Sequence, residues 1–456
     1  MPSQSYSSER LETGSAKSEG MCGGICTVKR LAILAVICLV IFAVAVGVAV
    51  GVSNSSGSKS NDDMGKKPWA SMRNASLADR VRVAKEILDM YPLVDGHNDL
   101  PWQYRRHVNN TVYSGGPDLT TGWPVVHTDI PRLREGHLGA QFWAAFVHCN
   151  SSYKDTVRQS LEQVDVIKKY VQRYSDLEWV TTAQGIEDAF NRGKIGSLIG
   201  LEGGHSIDSS LGNLRMFYEL GVRYMTVTHS CNTPWADNWK MDESDEAPKF
   251  NGLTKFGELV IKEMNRVGMM VDLSHVSKDT MVDSLNVTRA PVIYSHSSAF
   301  TICNHYRNVQ DDVLNMTKAN NGLVMVNFYT PYINCFPNNI SGNGTIQQVA
   351  DHIDHIKNLI GIEHVGIGGD YDGVEQLPDG LEDVSKYPDL FAELLNRGYT
   401  DEDLMKLAGK NLVRVFRDVE KARDNLRNEH PYEDLIMNVD ENYKADEYVP
   451  ECYTDF

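Results

Sequence analysis

The chain repeats one local pattern eight times: a short, densely apolar run that fits a buried strand, most often followed by a stretch of helical periodicity. The runs fall at residues 93–96, 141–147, 196–201, 223–228, 269–273, 291–294, 323–329 and 364–368. Helical patterns lie between most of them, at 156–174, 211–220, 253–267 and 346–360. Apolar runs joined by helical crossovers predict an α/β chain with parallel strands, and eight such units close most simply as a TIM-like (β/α)8 barrel. A doubly wound open sheet is the alternative reading. No GxGxxG follows the first run, so a dinucleotide-binding fold has no support.

Polar residues close several runs in a way that points to one site. The first run leads into His97 and Asp99, which project to the same side of an extended segment and can grip one ion together. Later runs end in Glu202, His229, His275, His296 and Asp370. In a barrel the C-terminal strand ends share one mouth, so these groups converge. Neutral imidazoles with carboxylates are the donor set of a zinc-like divalent ion. His205, close after Glu202, is a candidate supporting residue. His352 and His355, three apart on a predicted helix, read as members of a solvated face.

The first 30 residues are polar and rich in Ser and Gly, which predicts a disordered tail. Residues 31–52 are uncharged and almost wholly apolar. At 1.5 Å per residue they span roughly 30 Å, enough to cross a bilayer. Lys29 and Arg30 precede them and favour a cytosolic N-terminus. We read an uncleaved transmembrane signal anchor at 31–52 and an extracellular stalk at 53–75, a single-pass type II arrangement in the plasma membrane. Asn-x-Ser/Thr occurs at Asn54, Asn74, Asn109, Asn150, Asn286, Asn315, Asn339 and Asn343, all beyond the apolar run. These are candidate glycosylation sites on the extracellular side. Cys149, Cys231, Cys303, Cys335 and Cys452 lie on that side too, where four can pair within the chain and the odd one can bridge two chains. A net charge of −17 argues against nucleic acid as a partner.

Several strings taken together resemble a known family, the membrane or renal dipeptidases. They are Val94-Asp-Gly-His-Asn-Asp-Leu-Pro101, Gly200-Leu-Glu-Gly-Gly-His205, Leu273-Ser-His275, Tyr294-Ser-His-Ser-Ser298, Gly368-Gly-Asp-Tyr-Asp-Gly373 and the specific string running from Thr226 to Trp239. The resemblance covers about 76–420, leaving 421–456 as a C-terminal extension. It implies a metallo-dependent hydrolase barrel with two Zn2+ per chain. His97 and Asp99 would hold one ion, His275 and His296 the other, and Glu202 would bridge. It also implies hydrolysis of dipeptides by a metal-bridging hydroxide, with a D-residue tolerated at the second position. Cysteinyl-glycine conjugates and β-lactams are implied as side activities. His229, Arg307, Tyr332 and Asp370 are implied to bind substrate, with Asp370 passing a proton to the leaving amine. Arg307 suits a terminal carboxylate because its planar fork gives a bidentate grip.

By the same resemblance Cys149 pairs with Cys231, Cys303 with Cys335, and Cys452 with its counterpart in a disulfide-linked homodimer. The anchoring departs from the family, whose familiar members carry a cleaved signal and a C-terminal lipid anchor. Two rival readings share the fold. A lactonase- or phosphotriesterase-like amidohydrolase usually bridges its metals with a carbamylated lysine, where this chain has Glu202. A catalytically idle receptor or adhesion protein is expected to have lost a ligand or a proton-handling residue, and none is missing.

Overall fold

The computed structural model describes residues 72–245, 247–335 and 342–440. The expected tail, membrane anchor and most of the stalk lie outside these, as do Asn54, Asn339 and Cys452. No helix among the described residues is long and apolar enough to cross a membrane.

Among the described residues nine strands form one sheet: β1 (Leu93–Asn98), β2 (Leu138–Phe146), β3 (Leu177–Trp179), β4 (Ile195–Glu202), β5 (Val222–Thr226), β6 (Met270–Asp272), β7 (Ile293–Tyr294), β8 (Leu323–Val326) and β9 (Val365–Ile367). Neighbours run β2-β1-β9-β8-β7-β6-β5-β4, and β4 pairs back onto β2, so eight strands close a ring. Every ladder is parallel. The expected barrel is therefore the observed one, and the open sheet is excluded. β3 is an addition that the sequence reading missed, a three-residue strand laid against the start of β4. Its Leu-Glu-Trp carries too little periodicity to stand out.

The later expected runs are longer than the strands they become. The run at 269–273 shortens to β6, 291–294 to β7 and 364–368 to β9. Of the extra residues, Leu273 and Gly368 follow their strands toward the mouth and are buried there, while Met269, Pro291, Val292 and His364 precede their strands at the opposite end.

Packed side chains fill the ring beneath that mouth. Val94, Phe142, Leu198, Tyr224, Ile293, Leu323 and Met325 are each at most 1% exposed. Gly200 has a steric reason: a Cβ there would lie 1.9 Å from the Tyr224 ring. The missing side chain lets Tyr224 cross the barrel and reach β1.

The helix Asn411–Leu426 closes the lower end and runs through the boundary expected near 420. Its Leu412, Val415, Phe416 and Val419 are buried in the same cluster as the ring's interior. A buried stripe thus occupies one face of a helix that crosses into the expected C-terminal extension.

Candidate metal centre and active site

Two buried carboxylates tie the strand ends together. Asp95 Oδ1 accepts from His97 N at 2.8 Å and Gln141 Nε2 at 3.1 Å, and its Oδ2 accepts from Gly369 N at 2.9 Å. This joins β1 to β2 and to the segment after β9. Asp272 does the same on the opposite wall. Its Oδ1 accepts from Ser274 N at 3.1 Å and Ser295 N at 2.7 Å, and its Oδ2 accepts from the Thr226 and Ser295 hydroxyls, each at 2.6 Å. Each knot takes an N–H two residues along its own chain and another from a neighbouring strand end. The segments carrying His97, Asp370, His275 and His296 are thereby held in place.

The expected groups do converge. His97 Nε2 lies 3.2 Å from Asp99 Oδ2 and 3.5 Å from Glu202 Oε2. On the other side of the same carboxylate, Glu202 Oε1 lies 3.2 Å from His275 Nε2 and 3.6 Å from His296 Nε2. The two imidazole nitrogens are 2.9 Å apart. One carboxylate thus turns each oxygen to a separate set of ligand atoms. His229 Nε2 stands 3.6 Å from Oε1, and Asp370 groups with His97 and His296 within 4.8 Å.

Outer hydroxyls fix the tautomers. The Tyr224 hydroxyl lies 2.9 Å from His97 Nδ1 and donates its proton to Gly96 O at 3.0 Å. His97 must then carry its own proton on Nδ1, which leaves the Nε2 lone pair facing two carboxylates. Ser295 does the same for His296. Its hydroxyl donates to Asp272 and sits 2.7 Å from His296 Nδ1. His97 Nε2 and Asp99 Oδ1 are buried without a hydrogen-bond partner. Imidazole nitrogens and carboxylate oxygens crowded onto one another are a donor set that suits a cation. The residues fit the divalent ions expected from the sequence.

Electrostatics separate His97 from the other imidazoles: although burial opposes it, Tyr224 and the negative charges of Glu202 and Asp99 hold His97 well above the usual imidazole value, the pull that these same carboxylates would exert on a cation. Burial, with Arg307 nearby, holds His275 and His296 well below the usual imidazole value, and burial puts His229 at about 4. All three are neutral at neutral pH, as ligand or donor imidazoles must be. Asp370 is pushed well above the ordinary carboxyl range by burial, with Asp99 and Glu202 adding to the push against His97. His275 and Asp370 both have left-handed backbones, with φ of 67° and 62°. For residues other than glycine this is a strained conformation, of the kind concentrated at functional sites.

The cluster floors a cavity of about 290 Å³, walled by Trp102, Phe146, Tyr329 and Tyr332. Arg307 lies in this wall at 1% exposure, so it is not part of a surface ion pair. Its Nη1 and Nη2 donate to Ser297 Oγ at 3.4 Å and His296 O at 3.3 Å, and Nε has no partner. No carboxylate among the described residues pairs with this buried guanidinium. Tyr332 stacks beneath it at 5.3 Å.

Both expected intrachain disulfides form, and they brace this wall. Cys149–Cys231 links the loops after β2 and β5, and Cys303–Cys335 those after β7 and β8.

Three expectations about histidines needed the tertiary structure. His352 is fully buried rather than on a solvated face. Its Nδ1 accepts from Ala299 N at 3.0 Å and its Nε2 lies 3.1 Å from Ile333 O, so both ring atoms serve as backbone partners. His355 is partly buried and pairs with Asp311 at 2.8 Å. His205 is buried and reaches Val147 O at 3.0 Å. The sequence reading missed Asp95, Tyr224, Ser295, Trp102, Phe146 and Tyr329. Asp95 and Asp272 had a signal, since each precedes a site histidine by two or three residues.

Comparison with known proteins agrees with this geometry. Residues 81–430 match the model of the membrane dipeptidase family, peptidase family M19. Dipeptidase 3 of Rattus norvegicus is 46% identical over 351 residues, which cover 77% of this chain and 70% of that protein. The probable dipeptidase PvdM from Pseudomonas aeruginosa has the same fold at TM-score 0.67 and 19% identity, over 76% of this chain and 99% of that one. A Rhodobacter sphaeroides metallo peptidase, solved with a phosphinate mimic of L-Ala-D-Ala, superposes at TM-score 0.64 and 24% identity, over 72% of this chain and 99% of that one. The chain belongs to the membrane dipeptidase family, peptidase family M19, and is a dipeptidase.

Proposed function

We propose that the protein is a two-zinc dipeptidase, with His97 and Asp99 holding one ion, His275 and His296 the other, and Glu202 bridging. The observation that carries this reading is the split of Glu202, whose Oε2 faces His97 and whose Oε1 faces His275 and His296. Ions bound there supply Lewis acidity and a water acidic enough to attack at neutral pH.

The remaining steps belong to the chain's own side chains. Arg307 takes the dipeptide's terminal carboxylate, supplying the anion that this buried guanidinium lacks. His229, neutral and able to donate from Nε2, steadies the scissile carbonyl oxygen. Asp370 holds a proton on its carboxyl group and passes it to the leaving amine, a role that its raised pKa suits. Tyr332 packs beside Arg307 and shapes the carboxylate end. A cavity of about 290 Å³ with a cation at one end admits a dipeptide. The Rhodobacter neighbour's mimic supports substrates with a D-residue in second position. Cysteinyl-glycine conjugates and β-lactams fall within the same proposal.

We place the catalytic domain outside the cell, anchored in the plasma membrane by 31–52 as a type II protein. Two features support this. The six candidate glycosylation asparagines among the described residues, Asn74, Asn109, Asn150, Asn286, Asn315 and Asn343, are all exposed, and the two disulfides fit an oxidising compartment. Cys452 is proposed to join two chains into a homodimer. The test is zinc content and hydrolysis of glycyl-D-phenylalanine by the purified full chain, before and after chelation. About two zinc per chain, with turnover lost on chelation and restored by zinc, supports the reading. Full zinc loading without turnover of any dipeptide refutes it.

A further inference from the structure

The charges around the cavity are unbalanced. Asp99, Glu202, Asp370 and Glu375 line it against a single arginine, Arg307. Three of the four carboxylates are buried, and Asp99 and Glu202 are turned onto the histidine cluster. Glu375 differs. It is exposed at the mouth, and among the described residues no lysine, arginine or histidine pairs with it.

The loop that carries it is held on both sides. Gly373 N donates to Asp370 O at 3.2 Å, and Thr330 N donates to Gln376 O at 2.9 Å. The second bond fastens this loop to the segment bearing Tyr329 and Tyr332. Glu375 lines the same cavity as Tyr329 and Tyr332, and its negative charge adds to the burial that raises the Tyr329 hydroxyl. A carboxylate pre-positioned at a mouth and lacking a partner acts on whatever charge the ligand brings.

We propose that Glu375 makes this cavity charge-selective: it favours dipeptides with a cationic side chain, lysine or arginine, and disfavours those with an acidic one. The proposal rests on the dipeptidase reading, in which Arg307 takes the terminal carboxylate and a substrate side chain projects toward the mouth. Because Glu375 is exposed, its effect is small per encounter and screened by salt.

The test uses the zinc-loaded full chain and compares kcat/KM for Gly-Lys and Lys-Gly with their norleucine counterparts. Norleucine keeps the lysine stem without its charge. Lysine is expected to win by about two- to fivefold at one of the two positions, with the ratio shrinking as salt rises from about 0.05 to about 0.5 M. Glu375→Gln brings the ratio near one, and Glu375→Lys reverses the preference toward Gly-Glu or Glu-Gly. A lysine-to-norleucine ratio that is the same in all three proteins overturns the proposal. Binding of lysine- and norleucine-containing phosphinate dipeptide mimics gives the same ranking without turnover. Ranked binding with no hydrolysis therefore sinks the dipeptidase reading and keeps charge selection, while equal binding of both mimics sinks charge selection.

Discussion

Replacing Ser295 with alanine isolates the relay behind His296. In the native chain the Ser295 hydroxyl donates to Asp272 Oδ2 at 2.6 Å and stands 2.7 Å from His296 Nδ1. Asp272 takes two N–H groups and two hydroxyls, so the single Ser295 proton points to it and the oxygen lone pairs face the ring. Alanine removes both bonds. It strands a buried imidazole N–H, at about 1–3 kcal/mol, and takes one of four donors from a buried carboxylate. A net loss of about 2–4 kcal/mol in metal-free stability follows. Without its acceptor the His296 proton is free to move to Nε2, which spoils the lone pair offered to a metal. Losing such outer support costs about 10- to 100-fold in metal affinity, or roughly 1.4–2.7 kcal/mol. The assay is zinc competition against a chromophoric chelator, with urea denaturation of the metal-free protein alongside. One zinc equivalent is expected to leave at lower chelator concentration while the other keeps its affinity, because His97 is held independently by Tyr224. Lowered stability with both zinc affinities at their native values would refute the tautomer argument.

Other perturbations test other parts of the site. Arg307→Ala removes the buried guanidinium proposed to pair with the substrate carboxylate, so kcat/KM for dipeptides is expected to fall by about two to three orders of magnitude. Dipeptide amides, which lack that carboxylate, are expected to be nearly indifferent to the change, and an equal loss on both refutes the role. Acid sensitivity is expected to trace in part to His352, which burial holds at about 4 against about 6.5 when unfolded. A depressed value means that the unfolded chain binds the extra proton first. The stability that His352 contributes is thus complete above about pH 6.5 and lost as pH falls toward about 4, up to about 3 kcal/mol. His352→Gln should flatten urea stability across that window, and an unchanged slope contradicts this assignment.

Much of this protein was legible along the chain. The barrel could be read because its signals are local: apolar runs of strand length, helical periodicity between them, and a polar residue closing many runs. The site histidines and carboxylates could be read for the same reason, since a closed parallel barrel carries every strand's C-terminal end to one rim. The motif strings gave the family, and with it the pairing of four cysteines that spacing alone leaves open.

Other features had no local signature. His352 follows helical spacing that looks the same whether its face meets water or the loops bearing Ala299 and Ile333. Arg307 has no signature in composition or periodicity and was named by the family resemblance alone; its burial without a carboxylate supplies the physical reason for an anion there. Tyr224 reaches His97 from 127 residues away, through the gap at Gly200. The protons on the His97 and His296 rings are placed by the Tyr224 and Ser295 hydroxyls, whose own bonds run to other strand ends. Composition and periodicity report which face of an element is buried; which polar atoms meet across that buried space is set only when the ring closes.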